Sequence, residues 1–226
     1  MTGGSKAVYR HVDLLVREGI PASVLHNNSS FRYPYLVESV MTYGVRDVTF
    51  SKEDLLVLPE DFGPAHLEFP EGIQKIIFCQ NAYYVHAFYG LLDSRPLVHE
   101  GYGVHGCMVV SEDNKKFWQR AFPKCPVERL VLSVNYELFC CPNQNQKQKQ
   151  ICFMTRKNPD DVIQVVNLLS RLPSLRGWAF LPIEGLDEIG VASVMRTSSI
   201  FLSFGHPEGL SLSNLEALAS GCQLID

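Results

Sequence analysis

Glu208 and Glu216 stand eight residues apart in the segment 206–226 (HPEGLSLSNLEALASGCQLID), the first in a strand-to-helix loop and the second inside the helix that follows. A carboxylate at the first position can accept hydrogen bonds from sugar hydroxyls. Gly209 lets the backbone approach a ligand closely. The amides of Leu210, Ser211 and Leu212 fall at the helix start, where unpaired N–H groups and the positive end of the dipole favour anionic or hydroxyl-rich ligands. Glu216, two turns along, could hold a ribose diol by bidentate acceptance if it faces a ligand. The plainer reading makes Glu208 a helix-dipole partner and Glu216 part of a solvated helix face, as most charged residues are.

These residues need elements to position them. Short apolar strands alternate with amphipathic helices along the chain, the pattern of a parallel sheet covered on both faces. The pattern predicts strands over 22–26, 45–49, 55–58, 73–79, 106–110 and 130–133. Thr2, Gly3, Gly4 and Ser5 read as a loop, after which Val8, Val12, Leu15 and Val16 recur at helical spacing until Gly19. A second helix is expected from about Pro34 to Gly44. A third starts at the N-cap Ser111, with Glu112 and Asp113 in its first turn, and runs to Pro123.

The stretch 141–150 (CPNQNQKQKQ) is polar and lacks an apolar period, so it reads as a surface loop or linker. After it the alternation restarts: strand 151–154, helix 160–172, strand 177–181, helix 187–196, strand 200–204, helix 211–220 and strand 222–225. The expected organisation is an N-terminal Rossmann-like domain over 1–138, a polar linker over 139–150 and a partial C-terminal domain over 151–226. In open α/β sheets ligands bind beyond the carboxyl ends of strands, which directs attention to the loops after Cys79, Met154 and Phe204. A glycine turn with no strand before it, and a final strand with nothing to cover it, read as ends that are cut or shortened.

With 46% hydrophobic and 19% charged residues among 226, and 20 Lys+Arg against 24 Asp+Glu, the chain reads as a soluble globular protein. An isoelectric point near 6.0 gives no basic field for nucleic acid. The seven cysteines form no C-x-x-C pair, and Cys79, Cys107, Cys152 and Cys222 lie in apolar runs. They read as reduced core thiols of a cytoplasmic protein. No apolar stretch reaches the length of a membrane span, and the N-terminus lacks the apolar segment of a signal peptide. His86, His99, Glu100 and His105 match no standard ligand spacing, so no metal is expected. Tyr83, Tyr84, Phe88 and Tyr89 fall at helical spacing and read as core or cleft wall.

The wording from Glu208 to Cys222 resembles the signature of the retaining GT-B glycosyltransferases of the group-one class, glycosyltransferase family 4. That signature is a glutamate, seven residues, a second glutamate, then Ala, a small residue, Gly and an apolar strand. Here it is carried by Glu208, Gly209, Leu210, Leu215, Glu216, Ala217, Leu218, Ala219, Ser220, Gly221 and Cys222. The resemblance implies two tandem Rossmann-like parallel-sheet domains, the GT-B arrangement, here incomplete. It implies that Glu208 contacts the donor sugar, that the backbone of Gly209, Leu210, Ser211 and Leu212 lines the sugar and phosphates, and that Glu216 holds the ribose.

Three other segments are similar to the same family. Residues 151–157 (ICFMTRK) resemble its strand ending in Val-Gly-Arg, with Thr155 in place of the glycine and Lys157 directly after Arg156. The resemblance makes Arg156 and Lys157 the cations on the donor diphosphate, Arg as a fork and Lys as a point charge. Gly3 and Gly4 resemble the N-terminal glycine loop beside donor and acceptor. Residues 76–81 (IIFCQN) match a strand that usually ends in a histidine near the donor sugar. Gln80 and Asn81 stand there instead and can hydrogen-bond a hydroxyl without carrying a proton.

The implied activity is transfer of a sugar from a nucleoside-diphosphate sugar to an acceptor hydroxyl of a sugar, lipid or small molecule, with retention at the anomeric carbon. No metal or other cofactor is required. The alternative is a truncated, non-catalytic nucleotide-sugar-binding homologue.

Overall fold

Every strand pairing among the described residues is parallel. The computed structural model describes residues 3–28, 30–31, 39–70, 72–97, 104–142 and 146–226. They fall into two compact units, Met1–Leu132 and Ser133–Asp226.

In the first unit, helix α1 (Gly3–Arg17) lies beside a two-stranded sheet of β1 (Ser23–His26) and β2 (Met41–Gly44). Its inward face puts Val8, Tyr9 and Val12 on Val24 and Val40. Strands β3 (Leu55–Pro59), β4 (Gln74–Cys79), β5 (Val104–Val109) and β6 (Val127–Arg129) form a second sheet in chain order. Helix α2 (Glu112–Ala121) covers it, started by Ser111, whose hydroxyl accepts from the Asn114 amide. Its Trp118 is fully buried among Leu56, Ile77, Cys79 and Val109. Burying so large a ring makes it the main apolar contribution of α2 to this core.

Several expectations need correction. The segment expected as strand 45–49 is a single turn of 3-10 helix, Val45–Asp47, and the strand lies just before it at Met41–Gly44. The sequence pattern places Met41–Gly44 at the end of a helix beginning near Pro34, residues 34–38 of which lie outside the described residues. Pairing with Ser23–His26 decides the matter there, because a four-residue run carries too little period to fix its own state. The strand expected at 130–133 is shifted to Val127–Arg129, since the Cys107 amide already pairs with the Pro126 carbonyl at 2.8 Å and Leu130 closes the ladder on Val109. Gly3 and Gly4 belong to the first turn of α1 and not to a loop. The aromatic run makes only a short 3-10 turn, Ala82–Tyr84, and Tyr83, Tyr84 and Phe88 are exposed. Phe88 has φ +65, outside helical space, which ends the period the spacing suggested.

The second unit is one four-stranded sheet in the order β10-β9-β7-β8: β7 (Gln148–Met154), β8 (Ala179–Ile183), β9 (Ser198–Leu202) and β10 (Gln223–Ile225). Helices α3 (Pro159–Leu169), α4 (Glu188–Thr197) and α5 (Leu212–Ala219) cover its faces. Side chains alternate along β7 and β9. Ile151, Phe153 and Leu202 pack with Val162 of α3, while Cys152 and Phe201 pack with Ala192, Met195 and Ala217 of α4 and α5. The chain leaves β7 towards β8 on one side and returns to β9 on the other, so the strand order reverses between β7 and β9.

The polar stretch read as linker runs into β7, whose first residues Gln148 and Lys149 are exposed. Lys147 Nζ donates to the carbonyls of Met195 and Ser198 at 3.0 and 2.6 Å, neutralising the carboxyl end of α4. Cys79, Cys107, Cys152 and Cys222 are buried, and all seven cysteines are free thiols. Among the described residues no helix is long and apolar enough to cross a membrane.

Candidate active site

The reversal of strand order determines what meets at the carboxyl edge of the second sheet. Phe153 of β7 pairs with Leu202 of β9, so the loop 155–158 and the loop 203–211 emerge side by side. Ligands of open α/β sheets bind at such a switch point. Lys157, from the first loop, donates through Nζ to Glu208 Oε2 of the second in a close ion pair, with side chains 34% and 25% exposed. The family resemblance gives these two residues separate roles, on phosphate and on sugar, and the fold brings them together.

Asn158, which no family motif singles out, ties the two loops. Its Nδ2 donates to the carbonyls of Phe204 and His206, both at 2.8 Å, while its own backbone sits in the left-handed region (φ +46) before Pro159 opens α3. An Asn-Pro pair at a strand end was the available signal. His206 Nε2 lies 3.1 Å from Asp161 Oδ2, a further link between the same segments. Thr155, standing where the resembled pattern has glycine, donates to Glu184 Oε2 at 3.2 Å. Arg156 is exposed and forms no ion pair among the described residues.

Gly209, Leu210, Ser211 and Leu212 are half-buried and lead into α5, whose N-cap Ser211 accepts from the Asn214 amide at 3.4 Å. Their backbone therefore presents a helix N-terminus beside the Lys157–Glu208 pair, a setting that attracts anions. Glu216 is only 6% exposed, so it is not on a solvated face. It lies in the same helix, one residue before the buried Ala217.

In the first unit, the carboxyl ends of β3, β4 and β5 gather a second polar group. Gln80 and Asn81 follow β4. Gln80's side-chain amide lies over Gly4, where an added Cβ would come within 3.2 Å of its Nε2. Two positions matched separately from sequence are thus neighbours. Glu60, directly after β3, is 4% exposed and accepts from the amides of both Gln80 and Asn81, at 3.0 and 2.7 Å. Burial pushes its carboxyl up to about 7, against the pull of these amide bonds. Asn114 of α2 donates to the Gln80 carbonyl at 3.3 Å. Glu60 and Asn114 carry no local motif; only the register, which sets Pro59 opposite Phe78 and Phe78 opposite Met108, brings them to this turn. His99 and Glu100 lie outside the described residues.

The second sheet thus carries a carboxylate–cation pair at its strand-order reversal, where open α/β sheets bind their ligands. No family model matches it. Over 239 aligned residues it is 28% identical to the alpha-1,6-glucosyltransferase of Actinobacillus pleuropneumoniae serotype 7 (strain AP76), with 99% of this chain and 68% of that relative covered.

Proposed function

We propose that the chain is a retaining glycosyltransferase of the GT-B group-one class that moves a sugar from a nucleoside-diphosphate donor to an acceptor hydroxyl. The observation that carries the proposal is the meeting of Lys157 and Glu208 at the strand-order reversal, beside the N-terminus of α5. Glu208 accepts hydrogen bonds from the donor sugar. Arg156, Lys157 and the backbone amides of Gly209, Leu210, Ser211 and Leu212 face the diphosphate, and Glu216 faces the ribose. Gln80 and Asn81, with Gly3 and Gly4 nearby, serve the sugar and acceptor side. The name of the relative makes glucosyl the first transferred group to test.

In the reaction the bond from the anomeric carbon to the diphosphate oxygen breaks, and a bond to the acceptor oxygen forms on the same face. The acceptor proton passes to the departing diphosphate. The diphosphate gains negative charge as it leaves, and fixed cations and amides placed there lower the barrier by stabilising that charge. A protein nucleophile and a metal ion have no part in this scheme.

The test is release of nucleoside diphosphate from UDP-, GDP- and ADP-glucose by the parent protein and by Glu208→Gln and Arg156→Ala. Loss of one such stabilising group lowers turnover by about 100-fold or more, and both variants are expected to do so with unchanged melting. Parent-like turnover in both overturns the assignment. Stabilisation by a nucleotide sugar without release leaves a binding protein in its place.

A further inference from the structure

Three adjacent parallel strands end on one turn, and a buried carboxyl holds it. The Gln80 and Asn81 amides donate to the two oxygens of Glu60, the Gln80 carbonyl accepts from Asn114, and Asn81 Oδ1 accepts from the Tyr83 amide at 3.1 Å. These bonds lie at the ligand edge of the sheet, past the β4 ladder. A serine or asparagine could satisfy such amides without the desolvation that a carboxyl suffers. We propose that Glu60 is a positioning residue which, while ionised, fixes the Gln80–Asn81 turn and the Gln80 side chain against Gly4 for sugar binding, and which releases the turn on protonation.

The inference rests on the transferase reading for its ligand, but the clamp itself does not. An ionised carboxyl offers both oxygens as strong acceptors. A neutral one turns one oxygen into a hydroxyl, and one of the two amide bonds weakens. The titratable group acting on Glu60 is Asp61, its chain neighbour, while the Cys79 thiol at the end of β4 feels the charge of Glu60 in turn. The negative charge of Asp61 opposes ionisation of Glu60. The Cys79 thiol is held neutral, first by a hydrogen bond with the Cys107 thiol and then by burial. From the side of α2 the group reaching this turn is the neutral Asn114. The balance places the carboxyl at about 7, so a neutral solution holds both forms.

The experiment follows the backbone amides of Gln80 and Asn81 by NMR and hydrogen exchange from about pH 5 to about pH 9, in the parent and in Glu60→Gln, alongside the KM for UDP-, GDP- and ADP-glucose. The expected result is that both amides titrate together near pH 7, with protection, corrected for intrinsic rate, rising about tenfold as the carboxyl ionises. In Glu60→Gln that titration is lost, and the KM of the accepted donor rises about tenfold with little change in kcat, because one amide faces a donor where it had an acceptor. Parent amides that do not titrate overturn the proposal, and so does a Glu60→Gln protein with the parent's KM and pH profile. A parent that turns over no donor at any pH overturns the transferase reading, and the parent amide titration, which needs no variant and no substrate, then decides the role of Glu60 alone.

Discussion

Replacing Glu60 with glutamine should change how the stability of the protein depends on pH, and the sign follows from where the proton sits. In the unfolded chain the carboxyl ionises near 4.5, while in the folded protein it does so at about 7. Below 4.5 both states are protonated and the charge is absent. Between the two values folding takes up a proton, and above 7 the folded protein bears the whole cost of an ionised, 4% exposed carboxylate. Stability from this group is therefore full at low pH and is lost as pH rises from 4.5 to 7. A gap of about 2.5 pH units at about 1.4 kcal/mol each puts the whole loss at about 3.5 kcal/mol. Urea unfolding of parent and Glu60→Gln at about pH 5 and about pH 8 isolates the effect, because other titrating groups are shared. Part of the loss has already occurred by pH 5, so the variant should gain about 2.5 kcal/mol on the parent between the two pH values. A difference between the two proteins that stays constant with pH refutes the reasoning. The same charge that costs stability is the one that grips the Gln80–Asn81 turn, the kind of trade expected where function requires a buried ion.

Gly221 closes α5: its amide pairs with the Leu218 carbonyl and that of Cys222 with Ala217, both at 2.9 Å, around a φ of +77. An added Cβ would come within 2.5 Å of Cys141 Sγ, so Gly221→Ala should lower the unfolding free energy in urea by about 2 kcal/mol, and an unchanged midpoint contradicts this. Asn158→Ala removes the two bonds to the Phe204 and His206 carbonyls and leaves a left-handed alanine, which should cost about 2 kcal/mol in urea unfolding and raise the donor KM. Asn158→Gly should recover the backbone part of that loss but not the KM.

Long periodic segments and motif wording were legible in the sequence; short segments and tertiary partners were not. Helices α2 and α4 show their caps, Ser111 and Asp187, in the sequence, and β7 and β9 show the short apolar runs 151–154 and 200–202. Met41–Gly44 is a strand only because Ser23–His26 lies beside it, and nothing local distinguishes it from the end of a helix. In the second unit, residue types picked out Glu208 and Lys157 singly, and strand order made them a pair. Lys147 looked like one more cation in a polar stretch, yet it caps α4 from 48 residues away in the chain. Glu60 was invisible for the same reason: its partners lie 20 and 21 residues away, and a glutamate after a strand is ordinary on any surface.

Glycosyl transfer from a nucleotide sugar is most directly tested by following nucleoside diphosphate release from UDP-, GDP- and ADP-glucose with the parent protein and acceptor sugars, with and without a chelator. The account predicts release from at least one donor, undiminished by the chelator and reduced about 100-fold or more in Glu208→Gln. No release from any of the three donors, with no thermal stabilisation by any of them, would contradict it.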